Sequence, residues 1–150
     1  SLAAVMRYSS AEMEQSLFSD LMATRLLIEG ESARLACDNI YDTTLEKMEL
    51  LVEALYEEPE DPMDILYRFH YLLTAASGNS IYAMIYRGFE SVLCTLIRKH
   101  YSMRSEDIRE SARMHRQLLE AIRRNAPGEA EALARSIITQ GITVLRERYD

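Results

Sequence analysis

The sequence predicts an all-α fold, an antiparallel bundle of about six helices. Three observations lead there. Glycine and proline number only five and three in 150 residues, too few for the turns of a β-sandwich. Apolar residues recur at steps of three and four along almost every stretch between breaks. The breaks themselves carry the residues that start and stop helices. With 48% hydrophobic and 27% charged residues, residues 1–150 have the size and composition of a single domain with its own core.

Each element follows from local chemistry. Ser9–Glu12, "SSAE", has the capping-box pattern and predicts a helix to about Ala36, with Leu17, Leu21, Ile28 and Leu35 on one stripe. "TTLE" at Thr43 opens a second helix to about Tyr56, with Leu45, Met48, Val52 and Leu55 inward. The polar "EEPEDP" breaks the chain; Asp61 caps a third helix with Pro62 at its first position. Its apolar face is Ile65, Leu66, Phe69, Leu72, Leu73 and Ala76, and Gly78 supplies the left-handed exit. Asn79 caps a fourth helix that is apolar nearly all round, from Ile81, Met84 and Ile85 to Leu96 and Ile97, and such a helix is expected in the middle of a bundle. Gly88 within it suits a close helix approach, at a cost of roughly 1 kcal/mol. "SMRSED" is the next break, followed by helices over about Glu106–Arg124 and Glu129–Arg148 with "NAPG" between them. No strand, internal repeat or low-complexity tract is evident.

A net charge of −7 and a pI near 5.0 set this segment against contact with nucleic-acid phosphate or an anionic membrane. No apolar run approaches the ~18 residues of a membrane span and no signal peptide is visible. Cys37 and Cys94 lie in apolar helical surroundings without metal-like spacing and read as free thiols of a reducing compartment, so the expected location is cytoplasmic. The chain opens on Ser-Leu and reads as a piece of something longer. Gly-rich phosphate loops, GxSxG, HExxH, CxxC and ExxH pairs are all missing, which argues against an enzyme.

Polar residues interrupt the inward stripes on four helices. His115 sits in the row Ile108, Ala112, His115, Leu119, Ile122, and Gln140 in the row Leu133, Ile137, Gln140, Val144. His70 flanks the face of Leu66 and Leu73, and Arg25 follows Leu21 by one turn, ahead of Ile28 and Glu29. Burying such groups is costly without partners. Two readings stay open. Each is a hydrogen-bonded core residue, with Arg25 pairing along its helix to Glu29 for a few tenths of a kcal/mol; or the four converge on a chamber that holds a ligand. The tyrosine pairs Tyr67/Tyr71 and Tyr82/Tyr86 suit a surface or dimer seam, His100 a helix C-terminus, and the eight methionines core filling.

The segments "ATRLLIEGESARLAC", "FHYLLTAASGN" and "MHRQLLEAI" resemble, in order and spacing, the FadR C-terminal (FCD) domain of GntR-superfamily transcription regulators. The resemblance runs from about Leu17 to Val144, and "ASGNSIYAMIYRGF…IRKHY" is similar to the fatty-acyl-responsive FadR branch. It implies an all-helical domain that binds an organic acid or acyl-CoA effector and forms a homodimer. DNA would be read only by an N-terminal winged helix-turn-helix, which this chain lacks. Many members hold a divalent metal through an Asp and three His. His70 and His115 match two of these ligands, Leu66 replaces the aspartate, and Gln140 replaces the last histidine. Zinc or nickel at His70 and His115 is therefore a reduced possibility beside a metal-free pocket.

The expectation is a sensor domain. His70, His115 and Gln140 offer hydrogen bonds, Arg25 offers a charge for a carboxylate, and Leu66, Phe69 and Tyr71 offer apolar contact. The alternatives are an effector-free dimerisation module and a metal-binding sensor with an incomplete ligand set.

Overall fold

The computed structural model describes residues 7–144, 146 and 147, with side chains described through Gly141. Six helices follow one another: α1 (Ala11–Asn39), α2 (Asp42–Tyr56), α3 (Pro62–Ala76), α4 (Ser80–His100), α5 (Ser105–Arg123) and α6 (Pro127–Val144). The all-α bundle expected from periodicity is thus what forms. One feature was not foreseen. Tyr101–Ser102 (β1) and Arg146–Glu147 (β2) pair antiparallel, Tyr101 opposite Glu147 and Ser102 opposite Arg146. Two residues give no alternation to detect. The expected end of the last helix at Arg148 lies outside the described residues, as does the side chain of Val144.

Caps decide the helix ends. Ser10, not Ser9, caps α1, its Oγ accepting from the Met13 amide at 3.2 Å, while the Ser9 hydroxyl donates to Glu14 at 2.9 Å. The helix therefore opens one residue later than expected, on a plain serine cap and not a reciprocal box, since Met13 and not a glutamate stands three residues after Ser10. Asn79 caps α4 through the Ile81 amide at 3.0 Å, and Gly78 leaves α3 with a φ of +79°. Asp61 precedes α3 but makes no cap bond; its carboxylate instead accepts from Arg98 at 2.6 Å.

The core is built around α1, which packs against α3, α4, α5 and α6. One apolar cluster joins Ala33 and Ala36 of α1 to Met48, Val52, Phe69, Leu73, Leu118 and Ile122. A second joins Phe18, Leu21 and Met22 to Tyr67, Tyr86, Phe89, Leu93 and Leu96. The buried tyrosines Tyr67 and Tyr86 thus belong to the interior, correcting the surface-seam expectation. The fourth helix is also corrected. Tyr86, Phe89, Val92, Leu93, Leu96 and Ile97 are buried, but Ile81, Met84 and Ile85 are 55%, 66% and 41% exposed, so α4 lies at an edge of the bundle while α1 takes the middle. Gly88 meets no close approach, a Cβ there finding nothing within 4 Å. The close approach is at Gly30, where a Cβ would come within 2.9 Å of Arg135 Nε.

A polar knot ties the bundle near the start of α1. Buried Glu14 takes Lys99 Nζ at 2.9 Å and His100 Nε2 at 2.7 Å. His100 therefore answers a carboxylate on a neighbouring helix rather than merely its own helix end. Lys99 and His100 hold the Glu14 carboxyl down at about 2.

Candidate functional site

Three helices bring four ionisable groups into a single row, two of them from α1. The i, i+4 spacing on α1 puts Glu29 one turn beyond Arg25 on the same face, and Arg25 Nε donates to Glu29 Oε2 at 2.5 Å. Glu29, wholly buried, also meets His70 Nδ1 from α3. His70 Nε2 faces His115 Nε2 of α5 at 3.0 Å. His115 Nδ1 reaches the Ser111 carbonyl, one turn back on α5, at 2.6 Å. Phe69 closes the row from the core side, its ring edge-on to His115 at 4.7 Å.

Hydrogen counting fixes the chemistry of this row. A carbonyl only accepts, so His115 carries its proton on Nδ1 and offers the Nε2 lone pair to His70. His70 then donates from Nε2. Glu29 terminates the row as a second acceptor, so three contacts share two protons when both rings are neutral. A third proton completes the row. Burial pushes His70 down, opposed by the Glu29 carboxylate beside it. His115 is driven down to about 3, by burial first and by His70 second. Burial pushes the Glu29 carboxyl up, but Arg25 and His70 together outweigh it and bring it to about 2.

Above the row opens a cavity of about 80 Å³. Arg25, His70 and His115 form its polar floor, and its walls are mainly apolar, with Leu66, Ile137 and four methionines, Met22, Met63, Met103 and Met114. Half of the chain's eight methionines therefore line the pocket, Met22 and Met114 among them belonging to the core as well. Arg25 keeps a free edge toward this space, since Nη1 has only the Met22 sulfur, 3.9 Å away.

Of the residues singled out in the sequence, Arg25, Leu66, His70, His115 and Gln140 do line one pocket. Gln140 is exposed at its edge rather than buried in a core row, because α6 turns that residue past the bundle surface. Phe69 and Tyr71 do not line it. Phe69 is a fully buried support behind the histidines, and half-buried Tyr71 packs under the Arg87 guanidinium at 4.0 Å. Sequence reasoning saw Glu29 only as a partner along its own helix, although it is the junction between α1 and α3. It also missed Ser111, one turn from His115, and Asp107, one turn further.

The FCD domain profile matches residues 20–140. The chain belongs to the FCD domain family. Solved structures agree in fold. Streptococcus agalactiae GntR superposes with a TM-score of 0.76 at 23% identity, over 91% of this chain and 62% of that one. E. coli McbR/YncC gives 0.70 at 17% identity, over 84% and 62%. The metal-free FCD domain of TM0439 gives 0.70 at 19%, over 86% and 91%. The chain thus spans about three-fifths of the length of the first two. No curated protein sequence matches it.

The FCD domain's residues do not fit the four-ligand metal set that the resemblance implies. Leu66 brings no donor, Gln140 only an amide, and the Glu29 carboxylate is taken up by Arg25 and His70. Among the described residues no group of three or more His, Cys, Asp or Glu is disposed to hold an ion, short of the three or four protein ligands zinc takes. Among the same residues no helix is long and apolar enough to cross a membrane.

Proposed function

We propose that this FCD domain is the effector-binding and dimerising part of a GntR-type transcription regulator, with no catalytic role of its own, and that its effector is a small organic acid. The observation that carries the reading is the free Nη1 edge of Arg25 at the floor of an otherwise apolar pocket, beside His70 and His115. Arg25 is already anchored by Glu29, so it meets a ligand carboxylate without rearranging, which lowers the ordering cost of binding. The long methionine wall supports a second reading, the acyl end of an acyl-CoA with its nucleotide outside, since methionine adapts to chains of varied shape.

Ligand binding would favour one arrangement of the bundle over another and act on DNA through a DNA-reading domain outside this chain. Calorimetry with propionate, hexanoate, octanoate and octanoyl-CoA tests the proposal. Binding that weakens in Arg25→Lys, which keeps the charge beside Glu29 but removes the forked Nη1 edge, is the expected result. Absence of binding by every member of the series, with His115→Ala behaving as a plain core substitution, would overturn it. Preference for octanoyl-CoA over octanoate selects the acyl-thioester reading.

A further inference from the structure

The pocket has a second polar end. Asp107, Ser111 and His115 follow one another at i, i+4 and i+8 along α5, so they form one row facing the cavity, and all three line it. Eight residues of helix rise about 12 Å, which separates the level of Asp107 from the histidine floor by that much. Beside this row much of the lining is apolar, with Leu66, Met63, Met103 and Met114. Asp107 Oδ2 is enclosed by protein and accepts no hydrogen bond among the described residues. Its neighbour on the lip, Glu110, is already bound to Arg113 at 2.5 Å. Positive charge at the floor and an unanswered carboxylate oxygen at the far end thus bracket an apolar passage.

We propose that the effector is an ω-amino carboxylic acid, its carboxylate on Arg25 and its ammonium on Asp107, with a run of methylenes along the methionine wall between them. The proposal rests on the organic-acid reading of the floor and adds the chemistry of the other end. A carboxylate at that end would meet Asp107 as a like charge, and an amine-free chain would leave Asp107 Oδ2 unanswered. An α-amino acid has its two charges on adjacent carbons and cannot span the passage.

Calorimetry of the chain with 6-aminohexanoate, hexanoate, adipate and L-leucine tests this. The expected order is 6-aminohexanoate tighter than hexanoate by about tenfold, the worth of one charge-assisted hydrogen bond, with adipate and leucine weaker than hexanoate. In Asp107→Asn the advantage of 6-aminohexanoate over hexanoate disappears. Hexanoate binding as tightly as 6-aminohexanoate overturns the ammonium end and leaves the organic-acid floor standing. So does an amine advantage that persists in Asp107→Asn. Failure of all four ligands to bind overturns the proposal whatever octanoyl-CoA does. The ligand order in the unaltered protein decides the matter even where the variant folds poorly.

Discussion

His70 and His115 meet nitrogen to nitrogen, Nε2 to Nε2 at 3.0 Å, with their rings nearly perpendicular at 84°. The contact joins α3 to α5 at the pocket floor, and Ser111 and Glu29 anchor its two ends. Neither histidine is therefore a solitary polar residue in a core. Each is the partner that makes burial of the other tolerable, and a ligand touching either ring acts on a row that ends on α1.

The row predicts acid lability. His115 is held to about 3 against an ordinary 6.5, so the unfolded chain binds a proton that the folded chain refuses. Stability is then full above pH 6.5 and falls as the pH drops below it, by about 1.4 kcal/mol per unit from this group. Glu29, depressed to about 2, adds its own loss only below its ordinary 4.5. Chemical denaturation from pH 7.5 to 4 should show a decline beginning near 6.5, and His115→Gln should lessen the slope above 4.5, leaving the share of His70, which burial also pushes down. A wild-type stability that stays level from pH 7 to 5 would contradict the placement of His115.

Glu29 should be the least replaceable residue of the site. Its carboxylate offsets the buried Arg25 charge and receives His70. Glu29→Gln leaves Arg25 charged and poorly paired in the interior, a change that costs about 3–5 kcal/mol. Arg25→Gln combined with Glu29→Gln should cost clearly less than the sum of the single changes, because the pair is removed together. Urea unfolding of the three variants measures this coupling. Additive losses would mean the two side chains do not depend on each other.

The bundle was legible because its signals are local. Ser-x-x-Glu, Asp61-Pro62 and Gly78-Asn79 mark three helix boundaries to within a residue or two, and the inward rows of α2 and α5 are buried as their spacing requires, save half-buried Ile108. The polar interruptions at Arg25, His70 and His115 were legible for the same reason, since each stands in or beside an apolar stripe. What periodicity does not carry is which stripe faces which neighbour. Tyr71 follows His70 by one residue and turns to Arg87, while Leu66 precedes it by one turn and faces the pocket. Glu29 looked like half of an ordinary i, i+4 pair, and only the docking of α3 makes it a junction. Nothing in the composition of α4 says that Ile81, Met84 and Ile85 stay uncovered.

Two glycines make opposite predictions. Gly88 sits within α4 with open space where a Cβ would stand, so Gly88→Ala should stabilise the domain by up to about 1 kcal/mol through helix propensity alone. Gly78 has a φ of +79° and a Cβ there would lie 3.2 Å from Asn39 Cγ, so Gly78→Ala should destabilise by about 1 kcal/mol or more. Thermal unfolding of the two variants side by side checks the sign. Equal losses at both would mean that α4 is packed at Gly88.

The uncovered start of α4 predicts where a second copy docks. Ile81, Met84 and Ile85 stand at i, i+3 and i+4, which places them on one face. Such rows on a surface helix are expected to be covered in use, and FCD domains generally serve oligomerisation as well as effector binding. We propose a second copy of this chain as the occupant, helix against helix across this row. Met84→Glu and Ile85→Lys place charges in the contact without touching the core or the pocket. Sedimentation should show the unaltered protein as a dimer and each variant as a monomer, with unchanged helical circular dichroism. A dimer that survives both substitutions would put the interface on another face of the bundle.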